Sequence, residues 1–196
     1  MRVLTLFSGT GSITRALTHF SNAEEVTLDL NEPADIMEDI LTWDPTIFAP
    51  GAFDIVWASP ECTQYSRART TAKTPRDLEH ADGMVNKTLQ VIDYLQPKVW
   101  FIENPSSGLL KRRNMMLLRP YFEVDYCMYD DLIRKRTAIW SNIPLSLHTC
   151  TETNRCPLFV NGRHAFYFQD TPTGKQRAAI PVALLVSIFT QALDHL

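Results

Sequence analysis

The chain has no excess of positive charge. Across 196 residues, 19 lysines and arginines face 22 acidic residues, a formal net charge of −3. A protein that coats nucleic acid is usually basic overall, so any polyanion contact is expected from a local groove rather than from the whole surface. Cysteine is sparse: only Cys62, Cys127, Cys150 and Cys156, at spacings that suggest no disulfide framework. No apolar run reads as long enough to cross a bilayer, which speaks against a membrane partner. No internal repeat, low-complexity tract or Pro/Gly/Ser linker divides the chain, so residues 1–196 are expected to form one domain. The opening Met1-Arg2-Val3-Leu4-Thr5-Leu6-Phe7 is short and enters a glycine-containing turn. It reads as a first strand, not a signal peptide. Free thiols without an export signal point to a reducing cytoplasm.

What is present is an alternation of strand and helix. Val3–Phe7, Glu25–Leu30, Phe53–Ala58 and Val99–Ile102 read as strands. Tyr121–Met128 and Thr137–Trp140 read as a hairpin-like pair. Helical spacing runs through Ser12–Phe20, with Ile13, Ala16 and Leu17 on one face. It runs again through Arg76–Tyr94, with Leu78, Ala81, Val85, Leu89 and Ile92. Ala178–Leu193 reads as a final apolar helix with Pro181 in its first turn, where proline is tolerated. Alternating strands and helices predict an α/β fold, a mainly parallel sheet covered on both faces. Residues 141–175, rich in Pro144, Pro157, Gly162, Pro172 and Gly174, break the rhythm and read as an irregular insertion at the edge of the core.

Two strand ends carry the chemistry. Asp54-Ile55-Val56-Trp57-Ala58 stops at Ser59-Pro60-Glu61-Cys62, and Phe101-Ile102 stops at Glu103-Asn104-Pro105. In an open α/β sheet such ends face the ligand crevice. A thiol and a carboxylic acid brought there suit covalent catalysis. Phe7-Ser8-Gly9-Thr10-Gly11-Ser12 joins the first strand to the first helix, where glycines permit a tight turn and close backbone approach to a ligand. Asp29 ends the second strand, where an acidic residue can hold ribose hydroxyls. The last phosphate-cradling glycine of the dinucleotide fingerprint is absent, which favours a nucleoside without a pyrophosphate over NAD. Basic residues gather at Arg67, Arg69, Lys73 and Arg76, at Lys111-Arg112-Arg113, and at Arg134-Lys135-Arg136; together they point toward a polyanion.

These segments, in this order, resemble those of the DNA (cytosine-5)-methyltransferases. Leu6 to Ser12 resembles the cofactor-binding first motif, Asp29 with Leu30 the ribose-holding segment, and Asp39-Ile40 the adenine contact. Ser59-Pro60-Glu61-Cys62 resembles the nucleophile loop, and Glu103-Asn104-Pro105 the Glu-Asn-Val segment. Arg134-Lys135-Arg136-Thr137 resembles the Gln-x-Arg-x-Arg segment, and Ala179-Ile180-Pro181 with its helix the final motif. The resemblance implies a Rossmann-like S-adenosylmethionine-dependent methyltransferase fold. It implies S-adenosyl-L-methionine bound by Phe7, Ser8, Gly9, Thr10, Gly11, Ser12, Asp29, Leu30, Asp39, Ile40 and Pro60. It implies Cys62 as nucleophile at cytosine carbon 6, Glu103 as the acid at ring nitrogen 3, and Arg134 or Arg136 as the anchor for the base or its phosphate. DNA is the implied partner, with the target base flipped out of the duplex. A tRNA cytosine, a free cytidine nucleotide and a non-catalytic nucleic-acid-binding role are the alternatives.

Three departures stand out. The family usually has proline directly before the nucleophile, where this chain has Glu61. A carboxylate beside a thiol disfavours the thiolate, so Glu61 must point away or be offset by Arg67, Arg69 and the bound base. The family's glutamine aligns with Leu132. The usual target-recognition domain shrinks to residues 141–175, which predicts short or relaxed sequence preference, or help from a protein partner. That insertion holds His148, Cys150, Cys156 and His164, the residue types of a zinc site. Their gaps are looser than in zinc fingers, the other reading is a loop with unpaired thiols, and no metal is assigned to them. Cys127 reads as a core residue.

Overall fold

The computed structural model describes residues 1–161, 163–164 and 174–196, without the side chains of residues 68, 71 and 175. Gly162 and Pro172, counted above among the breakers of the insertion, lie outside the described residues.

Strands β1 (Arg2–Leu6), β2 (Glu24–Asp29), β3 (Ile36–Met37), β4 (Ile55–Ala58), β5 (Val99–Pro105), β6 (Tyr121–Asp125) and β7 (Arg136–Ser141) form one sheet in the order β3-β2-β1-β4-β5-β7-β6. The first five pair in parallel, and β7 inserts antiparallel between β5 and β6. The strand order runs one way from β1 to β2 and the other way from β1 to β4. That reversal is the switch point where such sheets leave a crevice at their carboxyl ends.

The strands alternate within apolar runs. Leu4, Leu6, Val56, Ala58 and Ile102 face one core, shared with helix α2 (Leu78–Leu95) through Ala81, Met84, Val85, Leu89 and Ile92. Val3, Ile55, Trp57, Val99 and Phe101 face the other, shared with α1 (Ser12–Leu17) and α4 (Val182–Leu193). Side chains with period two on a strand covered on both sides produce this pattern. All four residues of β4 are buried. The expected α/β class, mainly parallel and covered on both faces, is what the chain adopts.

Several boundaries differ from the sequence reading. Helix α2 starts at Leu78 because Asp77 caps it, its side chain accepting from the His80 N–H at 3.0 Å. Helix α1 stops at Leu17, three residues before Phe20. The strand read through Met128 ends at Asp125 and turns into a short 3-10 segment, Tyr126–Met128. Two short strands, β8 (Phe159–Val160) and β9 (Arg163–His164), pair antiparallel inside the insertion read as irregular. The last helix is not continuous. A short helix α3 (Gly174–Ala178) is followed by an extended link, and α4 begins after Pro181, whose ψ is 131°. Proline supplies no N–H and biases the residue before it away from the helix.

The stretch Gln176–Leu193 is in fact long and apolar enough to span a bilayer by length and composition, contrary to the sequence reading. The break at Pro181 leaves α4 about 18 Å long, short of the roughly 30 Å of a hydrocarbon core. Its apolar face, Leu184, Leu185, Ile188, Phe189 and Ala192, is buried in the second core.

Candidate active site

A cavity of about 570 Å³ opens at the carboxyl ends of β1, β2, β4 and β5. That size suits a single small ligand or cofactor. One side is the turn after β1. Phe7 adopts φ 59°, with Gly9 at 51° and Gly11 at 69°. A left-handed aromatic residue is uncommon and costs about 1–3 kcal/mol; here it reverses the chain at the strand end. The turn is tied to β2, with Ser8 N–H donating to the Leu28 carbonyl at 3.2 Å and Gly9 N–H to Asp29 Oδ2 at 2.9 Å. Asp29 Oδ1 accepts from Asn31 and Glu32 N–H at 2.9 and 3.0 Å. A carboxylate held this way has a fixed plane and keeps lone pairs for hydroxyl donors in the cavity.

Of the sequence-predicted cofactor residues, Phe7, Ser8, Gly9, Thr10, Ser12, Asp29, Leu30, Asp39, Ile40 and Pro60 line this cavity; Gly11 does not and serves the turn behind it. The far end of the chain closes the same cavity with Gly174, Arg177, Ala178 and Ile180. Ile180 N–H donates to Ser12 Oγ at 3.0 Å, which locks residue 180 onto the start of α1.

Cys62 and Glu103 line the cavity opposite the glycine turn. Asn104 Nδ2 donates to the Pro60 carbonyl at 3.0 Å, so the end of β5 holds the cysteine loop. Farther along, Arg76 donates to the Gln64 and Ser66 carbonyls at 2.5 and 2.8 Å. The buried Tyr65 donates to Asp82 Oδ1 at 2.9 Å. Glu103 is 5% exposed. Its Oε1 accepts from the Tyr126 hydroxyl at 3.0 Å and lies 3.7 Å from Lys135 Nζ. The Cys62 thiol is pushed above its ordinary range, first by burial and then by the charge of Glu103, while Lys135 pulls it down. Glu61, the departure before the nucleophile, is exposed and is the weakest of the contributions.

Arg134 and Arg136, the expected anchors of the base or its phosphate, pair with Asp125 and stay more than a third exposed. Neither Arg134 nor Arg136 lines the cavity; Lys135 does. Arg136 lies opposite Asp125 in the β6–β7 ladder and donates to its carboxylate from Nε at 3.1 and 3.2 Å. Arg134 Nε lies 3.4 Å from the same carboxylate. In an extended chain, neighbours point to opposite sides, so an arginine pair facing Asp125 turns the lysine between them to the cavity. The offset to Glu61 is likewise Lys135 rather than Arg67 or Arg69, since Arg69 donates to Thr74 and Pro75. Much of the basic clustering is internally paired: Arg113 on Asp82, Lys111 on Glu123, Arg76 on loop carbonyls. Arg67, Lys73 and Arg112 remain exposed.

No family model matches the chain. It is 37% identical over 170 residues to the probable DNA (cytosine-5)-methyltransferase of Frog virus 3 (isolate Goorha), with 80% of this chain and 78% of that protein covered. The chain belongs to the DNA (cytosine-5)-methyltransferase family. Among solved structures, the Entamoeba histolytica methyltransferase EhMeth superposes with a TM-score of 0.66 at 13% identity, over 99% of this chain and 98% of its own. The S. pombe Dnmt2 methyltransferase does so at 0.51 and 18% identity, over 74% of this chain and 51% of its own. At these identities the likeness is one of fold, a methyltransferase sheet with helices on both faces.

The cavity of this methyltransferase fits the family's cofactor. Ser8 Oγ is buried with no hydrogen-bond partner among the described residues. Leu30, 54% exposed at the rim, offers an apolar surface that a flat ring would cover. Tyr126 and Lys135 are the contributors that motif reading missed. Strand alternation through Arg134-Lys135-Arg136 could have found the lysine. Tyr126 reads as one more apolar residue of a strand and carries no local signal.

Proposed function

We propose that this chain transfers a methyl group from S-adenosylmethionine to carbon 5 of a cytosine in DNA, with Cys62 as the covalent nucleophile. The observation that carries the reading is that Cys62 and Glu103, from two strand ends, share one cavity with the glycine turn and Asp29. The reading gives Ser8, Asp29, Leu30, Asp39 and Ile40 the task of holding the cofactor, and Pro60 the task of separating it from the base. When bound, the cofactor supplies an electrophilic methyl on a sulfonium.

Cytosine carbon 5 is too weak a nucleophile to be alkylated unaided. The Cys62 thiolate adds to carbon 6, and Glu103 delivers a proton or hydrogen bond to nitrogen 3 as charge gathers there. The enamine so formed makes carbon 5 nucleophilic toward the sulfonium methyl that a bound cofactor would supply, the S–CH3 bond breaking to leave a neutral thioether. Loss of the carbon 5 proton and expulsion of the thiolate restore the aromatic ring. Lys135 has two effects: it favours the thiolate of Cys62 and it faces Glu103. Tyr126 orients Glu103 through Oε1, leaving Oε2 for the base. A cytosine inside a duplex cannot reach a half-buried thiol, so the base is flipped out.

The test is methyl transfer itself. The chain is incubated with labelled S-adenosylmethionine and unmethylated plasmid DNA, then the DNA is digested to nucleosides. Labelled 5-methyldeoxycytidine is expected. Label only in RNA supplied in parallel, or in no nucleic acid, contradicts the reading.

A further inference from the structure

We propose that Cys127, Cys150, Cys156 and His164 form a structural zinc site that fastens the insertion to the strand end carrying Lys135. Cys127 lies in the 3-10 turn after β6, Cys150 and Cys156 in the loop after β7, and His164 in β9. Their ligand atoms all lie within 4.8 Å of one another. Cys127 Sγ and Cys150 Sγ are 3.5 and 3.3 Å from His164 Nε2. A tetrahedral zinc with bonds of about 2.3 Å to sulfur and about 2.0 Å to nitrogen needs sulfur–nitrogen edges of about 3.5 Å. All four residues are buried, at 3, 2, 3 and 6% exposure in the order named.

The surroundings suit metal-bound thiolates. The Cys156 N–H donates to Cys150 Sγ at 3.3 Å, a hydrogen bond that favours the anionic sulfur. Three thiolates around a dication leave one negative charge, and the two arginines less the Asp125 carboxylate they share leave one positive charge beside it. Arg134 and Arg136 both donate to the Cys150 carbonyl, at 3.1 and 3.3 Å. The Phe159 ring meets His164 edge-on at 5.1 Å and fixes the imidazole plane. Such outer contacts orient ligands.

The alternatives leave more unexplained. A disulfide would pair two of the cysteines and strand the third beside the imidazole. As a small apolar core it offers, among the described residues, Met128, Leu158 and Phe159 around the three thiols. The hairpin it would support shows two residues per strand among the described residues, and an isolated two-stranded hairpin is marginal in water. A metal supplies the missing cross-link. Cys3His is a set that selects zinc. His148, the ligand type nearest in sequence, is turned away, stacked 6.0 Å from the Tyr129 ring.

The site reaches the cavity through Cys150. Its N–H donates to Asp125 Oδ2 at 2.8 Å, and its carbonyl holds the two arginines that flank Lys135. The metal would thereby fix the strand end on which Lys135 meets Glu103.

The test is metal content and coordination in the whole chain, expressed with added zinc. One zinc per chain is expected after dialysis. The cobalt(II)-substituted protein should show intense visible ligand-field bands of tetrahedral geometry and thiolate charge-transfer absorption. Cys150→Ser and Cys156→Ser should lose the metal. His148→Ala and Cys62→Ser should keep it. His164→Cys should keep one cobalt and intensify its charge-transfer band, a readout that survives if the serine variants misfold. Folded protein without metal, a disulfide between any two of Cys127, Cys150 and Cys156, or full zinc retention in both serine variants overturns the site.

Discussion

Lys135 Nζ stands 3.7 Å from Glu103 Oε1, both side chains at least nine-tenths buried, while the arginines on either side of Lys135 turn to Asp125. A buried lysine beside the acid also acts on the thiol across the same cavity, because its charge favours the thiolate that Glu103 disfavours.

Lys135→Met should therefore make Cys62 less reactive. Its thiol already sits above the ordinary range, so the neutral form dominates near neutrality and alkylation speeds up as pH rises. Removing the cation moves that rise to higher pH. The check is iodoacetamide labelling of Cys62 against pH, read by peptide mass. An unmoved profile would remove Lys135 from the electrostatics of the thiol. Stability runs the other way: a raised folded-state value contributes stability fully present below the ordinary thiol range and lost as pH climbs through the folded value.

Tyr126→Phe deletes the hydroxyl that donates to Glu103. One such hydrogen bond is worth about 1 kcal/mol, so the methylation rate should fall about fivefold. S-adenosylmethionine binding, measured by calorimetry, should stay unchanged. Equal losses in binding and rate would mean that the hydroxyl supports the cavity as a whole rather than Glu103 in the chemical step.

Asp125→Asn should cost stability rather than chemistry. The carboxylate is fully buried and serves Arg134, Arg136 and the Cys150 N–H. Both guanidiniums are more than a third exposed, so solvent takes up part of the loss. About 1–3 kcal/mol is expected, read from urea unfolding. A change below about 0.5 kcal/mol would show that the cluster is loosely coupled.

Much of this was legible in the sequence, and the reasons are local. Ile55 to Ala58 and Val99 to Ile102 are continuous apolar runs that end in polar residues, so the two strand ends and their cargo of Cys62 and Glu103 could be read directly. The glycine turn and Asp29 follow from position after a strand. What was not legible depended on distance or on breaks in a pattern. Apolar periodicity runs through Pro181, which hid the split between α3 and α4. Arg134 and Arg136 match a motif by type, yet their direction is set by Asp125 on another strand. Cys127 looks like an ordinary core residue until β6 and the insertion bring it beside Cys150 and His164.

Asp29→Ala removes the acceptor on which Gly9, Asn31 and Glu32 converge. Losing charge-assisted hydrogen bonds costs about 1.5–3 kcal/mol, so S-adenosylmethionine should bind roughly tenfold to a hundredfold more weakly. Isothermal titration calorimetry checks this, with circular dichroism as the control for folding. Undiminished affinity would place the cofactor elsewhere.

The proposed methyl transfer depends on Cys62 attacking cytosine carbon 6. DNA containing 5-fluorocytosine tests it most directly, since fluorine at carbon 5 cannot leave as a proton does and the adduct is trapped. With S-adenosylmethionine present, a protein–DNA species is expected by intact mass, with the modified peptide containing Cys62, and no such species from Cys62→Ser. A chain that binds S-adenosylmethionine and methylates DNA yet forms no adduct, or forms one equally in Cys62→Ser, would contradict it.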